Sequence, residues 1–193
     1  SIDLKFKIIP DSSGVIYTQT LIGLTSNLCS APLEGDVGMI LDGADKYLDF
    51  DISPDGNQIV FIEQKLSTLT DELFSLSLAG GTAVKLNGPL VMNGDVKDFK
   101  IWQMGTLSYV IYRADETKDE RYELYKVSLD GSTSSVKMIP SFPDFGDVVD
   151  YKVSPNSFYV VYTADQLVDE RIDLGSINLL TGGIHWLNEE IAG

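Results

Sequence analysis

Residues Leu48 to Ser53, Leu-Asp-Phe-Asp-Ile-Ser, alternate apolar and polar, the period of a strand with one buried face. Pro54-Asp55-Gly56-Asn57 follows, a turn in which proline fixes φ and glycine takes a positive φ. Gln58 to Glu63 reads as a second strand, its Ile-Val-Phe-Ile run continuous enough to be buried on both faces. Asp71 to Leu78 alternates again, Ala79-Gly80-Gly81-Thr82 signals a hairpin, and Ala83 to Leu86 is a short fourth strand. One small antiparallel sheet of four strands is the expected product.

The same order recurs. Leu4 to Pro10 (Leu-Lys-Phe-Lys-Ile-Ile-Pro), Leu48 to Pro54, Lys97 to Gln103 (Lys-Asp-Phe-Lys-Ile-Trp-Gln) and Val149 to Pro155 (Val-Asp-Tyr-Lys-Val-Ser-Pro) can be laid over one another. Their shared aromatic falls at Phe6, Phe50, Phe99 and Tyr151, with spacings of 44, 49 and 52 residues. Self-similarity at this period predicts a repeat architecture whose unit is one sheet. Four antiparallel strands per unit is the content of a propeller blade. The fold class expected is therefore all-β, a β-propeller with four four-stranded antiparallel blades. They cover about residues 1–43, 44–94, 95–146 and 147–193 of a single domain. Helical periodicity is absent. The recurring aromatics are expected in the core between blades, and Cys29, in the place of Phe74, as a small buried residue.

Composition narrows the function. Fourteen basic against 29 acidic residues leave a net charge of −15, which repels phosphate backbones and argues against nucleic-acid binding. No apolar run approaches the about 20 residues of a membrane helix, so membrane insertion is not expected. Ser1 opens directly into a strand-like pattern, as in a chain that has lost a leader or been cut from a longer one. One cysteine excludes an internal disulfide and a cysteine-based metal cluster.

Ser53-Pro54-Asp55-Gly56 before Ile59-Val60-Phe61, and Glu72-Leu73-Phe74-Ser75-Leu76 with Gly80-Gly81, resemble the TolB-like (WD40-like) β-propeller repeat. Tyr122 to Val127 with Leu129-Asp130-Gly131 resembles its second half. That repeat also builds the propeller domains of the prolyl oligopeptidase and tricorn protease families. The fourth copy departs from the pattern: Asp173-Leu174-Gly175-Ser176-Ile177 lacks the aromatic, and Pro155-Asn156-Ser157 lacks the turn glycine. The resemblance implies a protein-docking platform, or a substrate-filtering domain beside a hydrolase, and a periplasmic or extracellular setting. Propellers usually have 4 to 8 blades. Four blades leave three arrangements open: a complete small ring, a homodimer completing a ring of eight, or part of a larger ring.

Candidate chemistry concentrates in two loops. Ala114-Asp115-Glu116-Thr117-Lys118-Asp119-Glu120-Arg121 and Ala164-Asp165-Gln166-Leu167-Val168-Asp169-Glu170-Arg171 share the pattern Ala-Asp-x-x-x-Asp-Glu-Arg. Clustered carboxylates suit a hard cation, so Asp115, Asp119, Asp165 and Asp169 are candidate Ca²⁺ ligands. The competing reading makes each aspartate a cap on backbone N–H groups, with Arg121 and Arg171 paired to carboxylates. Otherwise no cofactor is expected. Trp102 replaces the serine before the turn proline. It either stands at a propeller face, to meet a sugar or a partner protein, or packs on the next loop. Phe142 and Phe145, in the linker Phe142-Pro143-Asp144-Phe145, are candidate anchors for a partner. Catalysis is not expected: His185 is the only histidine, and no Gly-x-Ser-x-Gly elbow occurs. The sequence points to a non-enzymatic module that binds protein, the alternatives being an accessory, substrate-filtering propeller domain of a larger hydrolase or a cation- or carbohydrate-binding module.

Overall fold

A computed structural model describes residues 4–20, 25–139, 146–165 and 171–188. Every regular element among them is a strand, and the strands form four antiparallel sheets of four. Blade one contains β1 (Phe6–Ile8), β2 (Gly14–Thr20), β3 (Ser26–Pro32) and β4 (Met39–Ala44). Blade two contains β5 (Lys46–Ile52), β6 (Gln58–Lys65), β7 (Thr70–Ser77) and β8 (Val84–Lys85). Blade three contains β9 (Val96–Met104), β10 (Leu107–Ala114), β11 (Glu123–Ser128) and β12 (Val136–Lys137). Blade four contains β13 (Val148–Val153), β14 (Tyr159–Ala164), β15 (Asp173–Asn178) and β16 (Ile184–Trp186). Within each sheet, order in space follows order in sequence. The chain groups into two compact units, residues 1–87 with 128–134, and residues 88–127 with 135–193.

The turn between the first two strands shows how the repeat tolerates sequence change. Six residues after each shared aromatic the backbone enters the positive-φ region, at Ser12 (62°), Gly56 (72°), Gly105 (61°) and Ser157 (60°). Glycine is the easy occupant, yet serine holds the place twice, so side-chain hydrogen bonds must compensate. In blade two, Ser53 Oγ accepts from Gln58 N at 2.9 Å, and Asp55 Oδ1 accepts from Asn57 N at 3.1 Å. Blade four rebuilds this with Asn156: Ser154 Oγ accepts from Tyr159 N at 3.0 Å, and Asn156 Oδ1 from Phe158 N at 3.2 Å. The missing glycine leaves the turn intact.

In the first unit, Ile16 and Leu28 of blade one pack with Tyr47, Phe50, Ile52, Ile59, Phe61 and Leu76 of blade two. Ile59, Val60 and Phe61 are wholly buried, and Ile62 nearly so, as their unbroken apolar run requires. In the second unit, Trp102, Ile111, Leu124 and Ile139 of blade three pack with Tyr151, Val160, Tyr162 and Ile177 of blade four. The Tyr151 hydroxyl donates to the Ile111 carbonyl at 2.9 Å, tying one sheet to the backbone of the next. Phe50, Phe99 and Tyr151 are at most 5% exposed, whereas Phe6 is 65% exposed. The expectation that all four aromatics lie between blades therefore fails at the first.

The departure in blade four also has a physical cause. A Cβ at Gly175 would lie 2.4 Å from Cζ of Tyr162, so the Tyr162 ring occupies the space where another side chain would begin. Trp186 completes the row from the far side, its ring 6.3 Å from that of Tyr162 in an edge-on arrangement.

Candidate functional site

Both acidic loops belong to the second unit, and each begins where a second strand ends. Ala114 and Ala164 are fully buried, the small side chain letting the next residue turn inward. Asp115, 1% exposed, accepts from the backbone N–H of Asp95 through Oδ1 and from that of Glu120 through Oδ2, the latter at 3.0 Å. Asp115 N in turn donates to Asp95 O at 3.3 Å. Blade four repeats the device: Asp165 accepts from Asp147 N, and Asp165 N donates to Asp147 O at 3.2 Å. Asp147 Oδ1 accepts from Tyr122 N at 2.6 Å, and Val148 N donates to Tyr122 O at 2.8 Å. Each entry segment is thus pinned to the loop after its own second strand, and blade four's entry also to Tyr122, just before blade three's third strand.

Burial raises the Asp147 carboxyl above its usual range, with Asp165 and Asp115 adding to the effect against the opposing Tyr122 N–H. The Tyr122 phenol, desolvated and facing Asp115, Glu120, Asp95 and Asp147, is pushed up to about 12. Behind the first loop, fully buried Glu123 receives Lys137 Nζ at 2.6 Å, Thr117 Oγ1 at 2.7 Å and the Tyr125 hydroxyl at 3.0 Å, with Arg121 Nε at 3.3 Å. Burial works to raise its pKa, but the bonds from Lys137 and Thr117 outweigh it and the carboxyl is held below the usual range. Arg171 and Asp173 form the equivalent pair in blade four, at 3.2 Å.

Three of the four aspartates expected to gather a cation, Asp115, Asp119 and Asp165, lie among the described residues. Asp115 and Asp165 spend oxygens on backbone N–H groups. Asp119 lies exposed with Asn93 Nδ2 3.4 Å from its Oδ2, and Asp169 is outside the described residues. Among the described residues, no group of three or more His, Cys, Asp or Glu is placed to hold a metal ion. Phe142 and Phe145 are also outside the described residues. Trp102 is not an exposed partner contact. It is 2% exposed, stacks on Tyr109 at 5.2 Å, and donates its indole N–H to Ser157 O at 2.6 Å. It holds the blade-four turn at its positive-φ residue, because an indole this buried needs a partner for its N–H.

Sequence reasoning missed Asp95 and Asp147. Both lie four residues before the shared aromatic, as Asp115 and Asp165 lie three after the aromatic paired with it, so repeat register could have found them. Arg113 was missed as well. Its guanidinium bridges Asp98, at 3.0 Å from Nε to Oδ2, and the Val148 carbonyl at 2.9 Å.

The surface of this loop end is distinct from its foundation. Thr117, Lys118, Asp119 and Glu120 are exposed, and Met92 on the neighbouring entry segment is 84% exposed. The tip of the 115–121 loop stands on a hydrogen-bonded base.

Several solved structures share this fold. The chain superposes on a putative TolB from Agrobacterium tumefaciens at a TM-score of 0.62 and 14% identity, covering 95% of this chain and 64% of that one. An oligogalacturonate lyase from Vibrio parahaemolyticus gives a TM-score of 0.63 and 14% identity, over 94% of this chain and 51% of that one. Prolyl oligopeptidase B from Galerina marginata gives 0.63 and 15%, over 95% and 26%. No protein-family model and no curated protein matches the sequence. The chain has the TolB-like β-propeller fold and spans from about a quarter to just under two thirds of these three proteins' lengths.

Proposed function

We propose that this chain is a non-catalytic propeller module that docks another protein through its acidic loop end. One observation carries the reading: the loop over residues 115–121 is pinned by Asp115 to Asp95 and Glu120 while its tip and Met92 stay exposed. A braced loop loses little conformational freedom on binding, which favours recognition. An exposed methionine beside carboxylates suits a partner surface that is apolar at its centre and basic at its rim. A periplasmic or extracellular setting is part of this proposal and rests on the TolB-like resemblance. Among the described residues no helix is long and apolar enough to cross a membrane.

A photo-crosslinker at position 92 tests the reading in the parent cell's extract. A discrete adduct is expected, lost when Asp119→Lys and Glu120→Lys reverse the local charge. An adduct that persists after the reversal, or none at all, overturns the proposal.

A second reading is an accessory propeller of a larger hydrolase. The shared fold with the oligopeptidase, of which the chain spans 26%, favours it. Fusion-free chain that neither binds nor inhibits peptidase activity toward folded substrates, beside a parent protein with no hydrolase segment, rejects it.

A further inference from the structure

A cavity of about 240 Å³ lies within the second compact unit, between the outer strands of blade three and the turn after β15. It is smaller than the roughly 300 Å³ at which sites for drug-sized molecules begin. Its apolar wall is formed by Ile177 and Leu179, 2% and 6% exposed, with half-buried Met138. No aspartate or glutamate lines it, in a chain with 29 acidic residues.

The cation at this cavity departs from the repeat. Cys29, Phe74, Tyr125 and Gly175 hold one place in the four third strands, and the next residue is Ser30, Ser75, Lys126 and Ser176. Three blades thus carry serine where blade three carries a lysine that lines the cavity. Lys126 Nζ lies 5.0 Å from the centre of the Tyr109 ring, which itself stacks on Trp102, so the ammonium is seated without being neutralised. Among the described residues no ion pair engages Lys126, whereas Lys137 beside it is committed to Glu123 at 2.6 Å. The other polar side chains are left as donors. Asn178 Oδ1 accepts from the N–H groups of Leu180 and Thr181, both at 3.0 Å, which leaves its Nδ2 hydrogens. Thr181 Oγ1 accepts from Gly183 N at 3.2 Å, which leaves its hydroxyl hydrogen.

We infer that this cavity binds a small carboxylate with a short apolar tail, the carboxylate on Lys126 and the tail against Ile177, Leu179 and Met138. A cation and neutral donors above an apolar wall match that ligand in both charge and polarity, and a charge-assisted bond to the ammonium is of the strong kind. A chain of net charge −15 repels anions over most of its surface, so a place free of its own carboxylates is where one can be held. The site is separate from the acidic loops: the 115–121 loop leads into β11, whereas the cavity lies toward the far ends of β11 and β15.

An amide NMR titration tests it, with hexanoate as the probe and hexanol as its uncharged counterpart. Saturable hexanoate shifts are expected at the backbone amides of residues 136–138 and 177–182, with hexanol binding about tenfold more weakly or worse. Lys126→Ser installs the side chain that the other blades carry, so it is expected to keep the wild-type spectrum elsewhere and to weaken hexanoate by about tenfold or more. Lys126→Gln, which removes the charge but keeps much of the length, should do the same. Hexanoate shifts that do not saturate, shifts centred outside these two segments, equal affinity for hexanol, or an affinity indifferent to both variants each overturns the inference. The comparison with hexanol uses wild type alone, so it decides whether or not the variants fold. None of these outcomes touches the acidic-loop reading, which is tested by the crosslink from position 92.

Discussion

The joint between blades one and two and the joint between blades three and four solve one problem by different means. The first is closed by aliphatic side chains against Phe50 and Phe61, with Tyr47 donating to Asp42 at 2.7 Å, Lys7 paired with Asp51 and Lys5 donating to the Leu48 carbonyl. The second has a comparable apolar core but adds hydrogen bonds from Tyr151, Trp102 and Arg113 to the backbone carbonyls of Ile111, Ser157 and Val148. Apolar contact scales with area and is indifferent to direction. A donor aimed at a carbonyl fixes register, and it penalises any shift that leaves a buried polar group unmet. Blade four, which lacks both the third-strand aromatic and the turn glycine, is held by three such bonds to backbone carbonyls, where blade two has one, from Lys5 to the Leu48 carbonyl.

The largest test strikes the apolar joint. Phe50→Ala is expected to cost about 3–5 kcal/mol in denaturant unfolding, whereas Phe6→Ala, at the same repeat position, should change the isolated chain by no more than about 0.5 kcal/mol. Equal effects would break the comparison.

Glu123→Gln should cost about 2–3 kcal/mol at neutral pH, because Lys137 and Arg121 lose a buried counter-charge. The folded Glu123 carboxyl titrates below its usual value of 4.5. Its stabilisation is therefore fully present above that unfolded value and is lost as pH falls through the folded one. The gap between wild type and variant in unfolding free energy should narrow on acidification below about pH 4.5; a gap constant from pH 7 to 3 would refute the assignment.

Gly175→Ala drives a methyl group into the Tyr162 ring, and a loss of about 1–3 kcal/mol is expected. A neutral result in thermal unfolding would mean that blade four repacks freely and is less fixed than its hydrogen bonds imply. Trp102→Phe keeps most of the packing but removes the bond to Ser157 O, for about 1 kcal/mol. Hydrogen exchange in the turn at residues 154–159 should rise with it, and unchanged exchange would show that the indole does not hold the turn. Smallest is Lys7→Ala: both charges of the Lys7–Asp51 pair are nearly half exposed, so less than about 1 kcal/mol is expected, falling with salt.

Much of the fold was legible in residues with strong local meaning. The alternation at 48–53, the Ser-Pro-Asp-Gly turn and the apolar run at 59–62 each carry their own period or dihedral constraint. Four aligned copies turned weak single signals into a firm blade assignment. The acidic site was legible only in part. The Ala-Asp pattern located the loops, but clustered carboxylates read equally as cation ligands or as caps. The deciding groups, the N–H donors of Asp95, Glu120 and Asp147, belong to the backbone and have no residue identity to read. For Trp102 the sequence left exposure and packing both open, because the partner that decides between them, the Ser157 carbonyl, lies 55 residues away.

By itself the sequence determined what repeats: strand period, turn chemistry and the spacing of the aromatics, all set by interactions within a few residues. Only the tertiary structure decided which equivalent positions are buried. Phe6 and Phe50 are the same residue at the same place in the repeat, and they differ only in whether a blade lies across them. Burial is a property of the neighbour, and in a repeat protein the neighbour of the first unit cannot be read from the unit itself.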